Sequence, residues 1–227
     1  MSSGFDMRRW LLGAALALAS LFLVEPAAAD CKPPEQPVIK ITMNAPPVAQ
    51  DQKWSRAGIL KYMRSRGQTI RQGYDSVLGI TESDIQPSAR LQYLGVRDRN
   101  GTYCVFLQSA TVVIDWKVTV HIASEYKPGS CMYKAIDEHE QGHVAIVNAS
   151  KDEAQAMIRK VLESTGQKTL VASSMNQGAT QLQTDAQAAF EKAFKKFHDA
   201  LQRRQLGHDT PEEYAKPRKL CGNAYNQ

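Results

Sequence analysis

His139, Glu140 and His143 stand at the H-E-x-x-H spacing inside "AIDEHEQGHVAIVNASKDEA", residues 135–154. On a helix, residues four apart share a face with Cβ atoms about 5–6 Å apart. Two imidazoles so placed can converge on one tetrahedral ion. Glu140 leans to the side of the same groove, where it can take a proton from a zinc-bound water whose pKa the ion lowers to about 7. Order and spacing therefore suit zinc-dependent hydrolysis, with Glu140 as general base. The competing reading is a pair of core histidines bonded to carbonyls or carboxylates. Helical phase weighs against it. Met132, Ile136, Ile146/Val147, Ala154, Met157 and Val161 form an apolar stripe, and His139 and His143 fall on it. Lys134, Glu138, Gln141, Asn148, Asp152 and Gln155 fall opposite. Imidazoles on a packed face need partners, and a metal supplies one for each.

A catalytic zinc takes three protein ligands and a water, and this stretch supplies two. The metzincin extension would need a glycine at position 146 and a histidine at 149, where the chain has Ile146 and Ala149. Along a continuous helix Glu153 lies about 15 Å from His143 and Glu163 about 30 Å, the latter on the opposite face. The third ligand is therefore expected from a later helix or the loop after it. His208 or His198 ranks first, then Glu191, which shares a flank with His198 beside Phe194, then Asp209. His121 falls on the polar phase of a strand and reads as solvent-exposed or substrate-facing.

The positioning elements follow from periodicity. "VIKITMN" (38–44) reads as a short strand. Asp51 is expected to cap a helix through "QKWSRAGILKYMRSRG", ended by Gly67, and residues 68–87 read as loop with one further helical turn at most. "ARLQYLGV" and "TYCVFLQ" flank "RDRNG", whose Asn100-Gly101 marks a hairpin. From Val112 to Ala123 apolar and polar residues alternate strictly, the period of a half-buried antiparallel strand. Ser130 can cap a long helix. Gly142 is the only glycine or proline from Cys131 to Ser164, and Asn148-Ala149-Ser150 is the helix's weakest point. A second helix is expected from about Met175 to Gln205, with Leu182, Ala186, Ala189/Phe190, Ala193, Phe197 and Leu201 as its stripe. The tail from residue 206 is turn-rich and packs back through Cys221. Strands first and long helices after predict an α+β domain, a small antiparallel sheet of hairpin plus long edge strand packed on long helices.

The chain begins with Arg8-Arg9, an apolar run over residues 10–24 and "EPAAAD", the pattern of a secretory signal peptide over 1–29. The run is too short for a spanning helix, so no membrane span is expected after cleavage, which leaves residues 30–227 as one domain exported to a periplasm or secreted. Paired arginines fit a twin-arginine signal less well than the ordinary secretory route. The net charge is +5, and the late "KKF" and "RR" read as a solvated helix face, so no nucleic-acid partner is expected. Cys31, Cys104, Cys131 and Cys221 in an oxidising compartment suggest two disulfides. Cys104–Cys131 and Cys31–Cys221 are the favoured pairs, the second joining the chain ends.

With these features, residues 88–210 resemble the H-E-x-x-H zinc peptidases (zincins). Within that group they look most like a bacterial family of predicted secreted zinc-dependent proteases, a domain of unknown function. The likeness consists of the hairpin carrying Cys104, the long alternating strand, "HEQGHVAI" and a second helix ending near "HDTPEEY". It implies a Zn2+ cofactor held by His139 and His143, Glu140 as base, and a peptide or protein substrate. It also implies a zincin-like cleft bordered by the strand ahead of the helix, so that strand 112–123 would hold an extended peptide through main-chain hydrogen bonds. The family's C-terminal Tyr-Asp and Thr-x-His-Gly pattern is replaced here by "HDA" and "HDT". The alternative is a non-enzymatic envelope protein, a degenerate zincin or a binding module with a structural metal.

Overall fold

The apolar alternation after Val112 belongs to the longest strand among the described residues. A computed structural model describes residues 31–32, 35–66 and 77–222; the signal peptide expected over residues 1–29 lies outside them. The described residues from Cys31 onward make one compact α+β unit. Its strands are β1 (Val38–Asn44), β2 (Ala49–Asp51), β3 (Gly79–Arg97), β4 (Tyr103–Ile122) and β5 (Leu170–Ala172). Its helices are α1 (Arg56–Ser65), α2 (Cys131–Ala149), α3 (Lys151–Gly166), α4 (Met175–His208) and α5 (Pro211–Cys221).

β4 is the centre of the sheet, not its edge. β3 pairs antiparallel with β4 along nearly its whole length. On the other side β5, β1 and β2 lie in succession, the last two parallel to β4. Two expectations are corrected by this register. The sheet is mixed, because β1 enters parallel to β4, and strand 112–123 is flanked by β3 on one side and by β1 and β2 on the other, so it is not an edge strand. β3, which pairs only with β4 among the described residues, forms one edge of the sheet, and β5, β1 and β2 form the other.

The first part of β3 covers residues expected to be loop. Pro87 and the polar run around it mimic a loop in sequence. Proline is tolerated in an edge strand, where its missing N–H faces away from the ladder. The hairpin turn forms as expected at Asn100-Gly101, with Gly101 at φ 88°.

The two faces of β4 have different fates. Val112, Ile114, Trp116, Val118, Val120 and Ile122 are almost fully buried beneath the helices, each burial worth about 1.5–3 kcal/mol. Trp116 meets Phe197 of α4 edge-on at 6.3 Å. On the opposite face His121 is buried rather than exposed, because the ring of Trp54 stacks on it at 4.4 Å. Asp51 and Glu82 flank its two ring nitrogens at 3.6 and 3.4 Å.

Helix boundaries follow local capping. α1 starts at Ser55, whose Oγ accepts from the Gly58 amide at 3.2 Å. Asp51 instead lies in β2 and accepts from the Lys53 amide, so the helix begins later than expected; its expected stop, Gly67, is outside the described residues. Ser130 caps α2 through the Tyr133 amide, as its sequence suggests. The long helix after it breaks at Ser150, which is fully buried and turns its hydroxyl back to the Ile146 carbonyl at 2.9 Å. Such back-bonding competes with the regular ladder and separates α2 from α3 without glycine or proline. The tail is helical as α5, stabilised by Thr210 as cap and Pro211 at the first position.

The disulfides pair Cys31 with Cys104 and Cys131 with Cys221, correcting both favoured pairs. The hairpin carries Cys104 to the lead-in before β1, while α5 brings Cys221 back to the start of α2. No helix among the described residues is long and apolar enough to cross a membrane. The two disulfides point to an oxidising, extracellular-type compartment.

α4 seats its first turns on β4 and β5 through Gly178, where a Cβ would stand 2.5 Å from Cγ2 of the fully buried Val105. Gly178→Ala should therefore destabilise the fold by about 1–3 kcal/mol, although the same change in an exposed helix would stabilise it by about 1 kcal/mol. Urea denaturation of the two proteins checks the sign; a gain in stability would mean that α4 does not pack this closely.

Candidate metal centre

α2 presents His139 and His143 from one face, as the four-residue spacing requires, and both side chains are mostly buried. The corner where α4 passes into α5 brings His208 and Asp209 against them. His139, His143 and His208 each offer a ligand atom, all within 4.8 Å of one another, and this cluster could hold a metal ion. Asp209 comes closer still. Its Oδ1 lies 3.0 Å from Nε2 of His143 and 3.3 Å from Nε2 of His139, and the two Nε2 atoms are 3.2 Å apart.

The protonation pattern around this triangle can be read from its partners. The Gln205 amide nitrogen donates to the His143 carbonyl at 3.3 Å, and a carbonyl can only accept. The amide oxygen of Gln205 therefore faces Nδ1 of His143, which must carry a proton to donate to it. One α4 side chain thus grips both the ring and the backbone of His143 and turns Nε2 toward the triangle. His208 is committed differently. Its Nε2 lies 3.2 Å from the His139 carbonyl, which leaves Nδ1 as its lone-pair atom, and its ring stacks on His139 at 5.0 Å. That ring lies across Gly142, where a Cβ would meet it at 2.1 Å. The glycine inside the motif is what admits the α4–α5 corner.

Glu140 is 3 % exposed and lies between α2 and the start of β3. Thr81 donates its hydroxyl to Oε2 at 2.8 Å. Oε1 lies beside Gly79, close enough that a Cβ there would stand 2.9 Å away. Burial raises the Glu140 pKa, outweighing the attraction of His143 and His139 and the Thr81 bond. Nδ1 of His139 is buried with no hydrogen-bond partner among the described residues. The carboxylate of Glu213 of α5 lies 4.0 Å from it, and Tyr214 packs edge-on to the ring at 5.3 Å.

Of the expected third ligands, His208 and Asp209 reach the centre, and His198 and Glu191 do not. His198 lies ten residues back on α4, about 15 Å along the axis, and packs edge-on against Phe194 at 4.5 Å. Glu191 is about 25 Å back, exposed, and accepts from Gln187. Glu153 is also elsewhere, paired with Arg204 at 2.7 Å. Sequence reasoning passed over Gln205, Thr81, Gly79 and Glu213. Gln205 carried a usable signal, since it precedes His208 by three residues and so shares its helix face. Thr81 carried none while β3 read as loop.

No protein-family model matches the chain, and no curated protein or solved structure matches it.

The acid–base balance of the metal-free centre has a definite sign. Burial opposes a charge on His143, but the hydrogen bond to Asp209 and the charges of Glu140 and Asp209 outweigh it, so its pKa is raised. Burial likewise opposes a charge on Asp209, yet its bonds to His139 and His143 hold its pKa far below the usual carboxylate range. The contribution of His143 is thus complete below the ordinary histidine pKa and lost as pH rises through the raised one. That of Asp209 is present above the ordinary aspartate pKa and lost as pH falls through the depressed one. A cation must displace the proton on Nε2 of His143. Metal affinity should therefore increase about tenfold per pH unit until His143 has titrated and then level off. Chelator competition across pH measures this, and a flat profile would mean that the ion does not bind at Nε2.

Proposed function

We propose that the chain is an exported zinc metallopeptidase, acting in a periplasm or after secretion, with His139, His143 and Asp209 as zinc ligands and Glu140 as general base. The observation that carries this is the triangle of donor atoms with edges of 3.0, 3.2 and 3.3 Å. Zinc bonds of about 2.0–2.2 Å to nitrogen and oxygen place the ligand atoms of a tetrahedron about 3.3–3.5 Å apart. With Nδ1 of His143 protonated by its Gln205 contact, a neutral ring turns a bare lone pair toward Asp209 at 3.0 Å. That contact is repulsive unless a proton or a cation lies between them. Two imidazoles and one carboxylate are a donor set that suits zinc and leaves a fourth position open. When bound, such an ion supplies Lewis acidity, polarising a carbonyl and making water acidic near neutral pH.

The chain's own groups carry the rest. Thr81 occupies Oε2 of Glu140, leaving Oε1 to take the proton of the attacking water and return it to the leaving amine. Gly79 lets the start of β3 approach Oε1 closely, since a Cβ there would stand 2.9 Å from it. Substrate would lie along β3 rather than β4. β3 is an edge strand, and Gly79 and Thr81 near its start border Glu140 directly. A peptide added there would gain main-chain hydrogen bonds next to the base. The resemblance to the zincins supports the same reading. Glu140→Gln should retain the metal and lower peptide hydrolysis by at least about a hundredfold, while Asp209→Ala should lose both metal and activity. Zinc content by mass spectrometry and cleavage of a peptide library test these together. Full metal content in Asp209→Ala would remove Asp209 from the ligand set.

A second reading is a structural metal in a non-enzymatic envelope protein. It is favoured by the proximity of His208, whose ligand atom lies within 4.8 Å of the other two histidines and could close a four-ligand site. The readings separate at His208→Ala. Because the His208 ring is committed to the His139 carbonyl, the variant should keep zinc; loss of zinc would favour the structural site.

A further inference from the structure

We propose that the Cys131–Cys221 disulfide is a positioning element of the metal centre, so that the protein reaches full metal affinity only once this pair is oxidised. The proposal rests on the metal-centre reading above. Cys131 is the first residue of α2 and Cys221 the last of α5, with Cα atoms 5.7 Å apart. Two turns further along α2, His139 meets Glu213 and Tyr214 from the first turn of α5. The two helices therefore run antiparallel, clamped by the disulfide at one end and holding the metal centre at the other. Asp209, which closes the donor triangle, lies two residues before α5. It caps α4 and leads into α5, so its position is fixed from both sides, by the end of α4 and by where α5 is held.

α5 is poorly equipped to hold itself. Its eleven residues fall short of the roughly 12–15 that an isolated helix needs. Pro217 sits inside it and cannot donate a backbone hydrogen bond, and that proline is its only buried residue. Tyr214, Pro217 and Cys221 share one face at i, i+3 and i+7, so the apolar stripe toward α2 ends in the covalent bond. Forming that bond joins the two sulfurs. Two electrons and two protons pass to the disulfide of an exchange partner, which becomes a dithiol. Before oxidation α2 offers its two histidines alone, and the third donor is loosely held. Hydrolytic competence would thus wait until the chain meets an oxidising compartment.

The second disulfide supplies a matched control. Cys31–Cys104 spans 73 residues and Cys131–Cys221 spans 90, so the two restrict the unfolded chain nearly equally. Cys31–Cys104, however, ties the lead-in before β1 to β4. The test compares zinc affinity, by competition with a chromophoric chelator, in Cys131→Ala/Cys221→Ala and in Cys31→Ala/Cys104→Ala. Alanine is used so that no thiol can ligate the ion. The first pair should weaken binding about ten- to a hundredfold, the range for lost support around a ligand, and the second should stay near wild type. Equal losses in both, or none in the first, would overturn the proposal.

If the first variant does not fold, the same coupling is readable in the native protein, because linkage is reciprocal. One equivalent of zinc should protect Cys131–Cys221 from a phosphine reductant and leave Cys31–Cys104 unprotected, with the thiols trapped and mapped by mass spectrometry. Equal protection of the two bonds, or none, would overturn it. A wild-type chain that takes up no zinc would sink the metal-centre reading itself, and this proposal with it.

Discussion

Three donor atoms from two distant parts of the chain must be held about 3 Å apart inside the protein, and each repels the others unless a proton or a cation lies among them. Nε2 of His139, Nε2 of His143 and Oδ1 of Asp209 stand at 3.0–3.3 Å. Most of the architecture can be understood as meeting that demand. α2 fixes two of the atoms by its pitch. The third arrives some sixty residues later, at the end of a 34-residue helix that is seated on the sheet at Gly178 and on α2 at Gly142. Both contacts need a missing side chain, because a Cβ at either would overlap its neighbour. Small residues let α4 lie close enough for its far end to reach the histidines.

The surroundings carry the electrostatic cost of this arrangement. Glu140 is buried beside the triangle, where its charge is disfavoured by desolvation and favoured by the histidines and Thr81. Gln205 orients His143 through ring and backbone together. His139 has no equivalent grip: its Nδ1 faces α5, whose Glu213 lies 4.0 Å away. The two histidines of one motif are therefore supported by different helices. One support is a packed hydrogen-bonded side chain of α4. The other depends on a short helix tied down by Cys131–Cys221.

Local pattern made part of this legible in sequence. The alternation of β4, the Asn100-Gly101 turn, the Ser130 cap and the helical phase of His139 and His143 are all short-range signals. Other features depended on tertiary context. The first part of β3 was hidden by Pro87 and its polar neighbours, which an edge position tolerates and a central strand would not. Burial of His121 depends on Trp54, sixty-seven residues earlier, and no periodicity announces that stacking. The break at Ser150, by contrast, falls at the expected weak point Asn148-Ala149-Ser150 and comes from a local bond of one hydroxyl to the carbonyl four residues earlier. Disulfide pairing depends on which elements meet, and the return of α5 to the start of α2 was not visible in a tail that read as turns. At the site, His208 was foreseen and does join the cluster. Asp209 ranked last of the four candidates, whereas the geometry commits the His208 ring to a carbonyl and leaves the carboxylate facing the two Nε2 atoms.

The most direct measurement is anomalous diffraction at the zinc absorption edge from crystals of the zinc-loaded protein. A single peak about 2.0–2.2 Å from Nε2 of His139, Nε2 of His143 and Oδ1 of Asp209 is the expected result, with the His208 ring outside the coordination sphere. A peak with His208 in place of Asp209, or the absence of a peak among these residues, would contradict it.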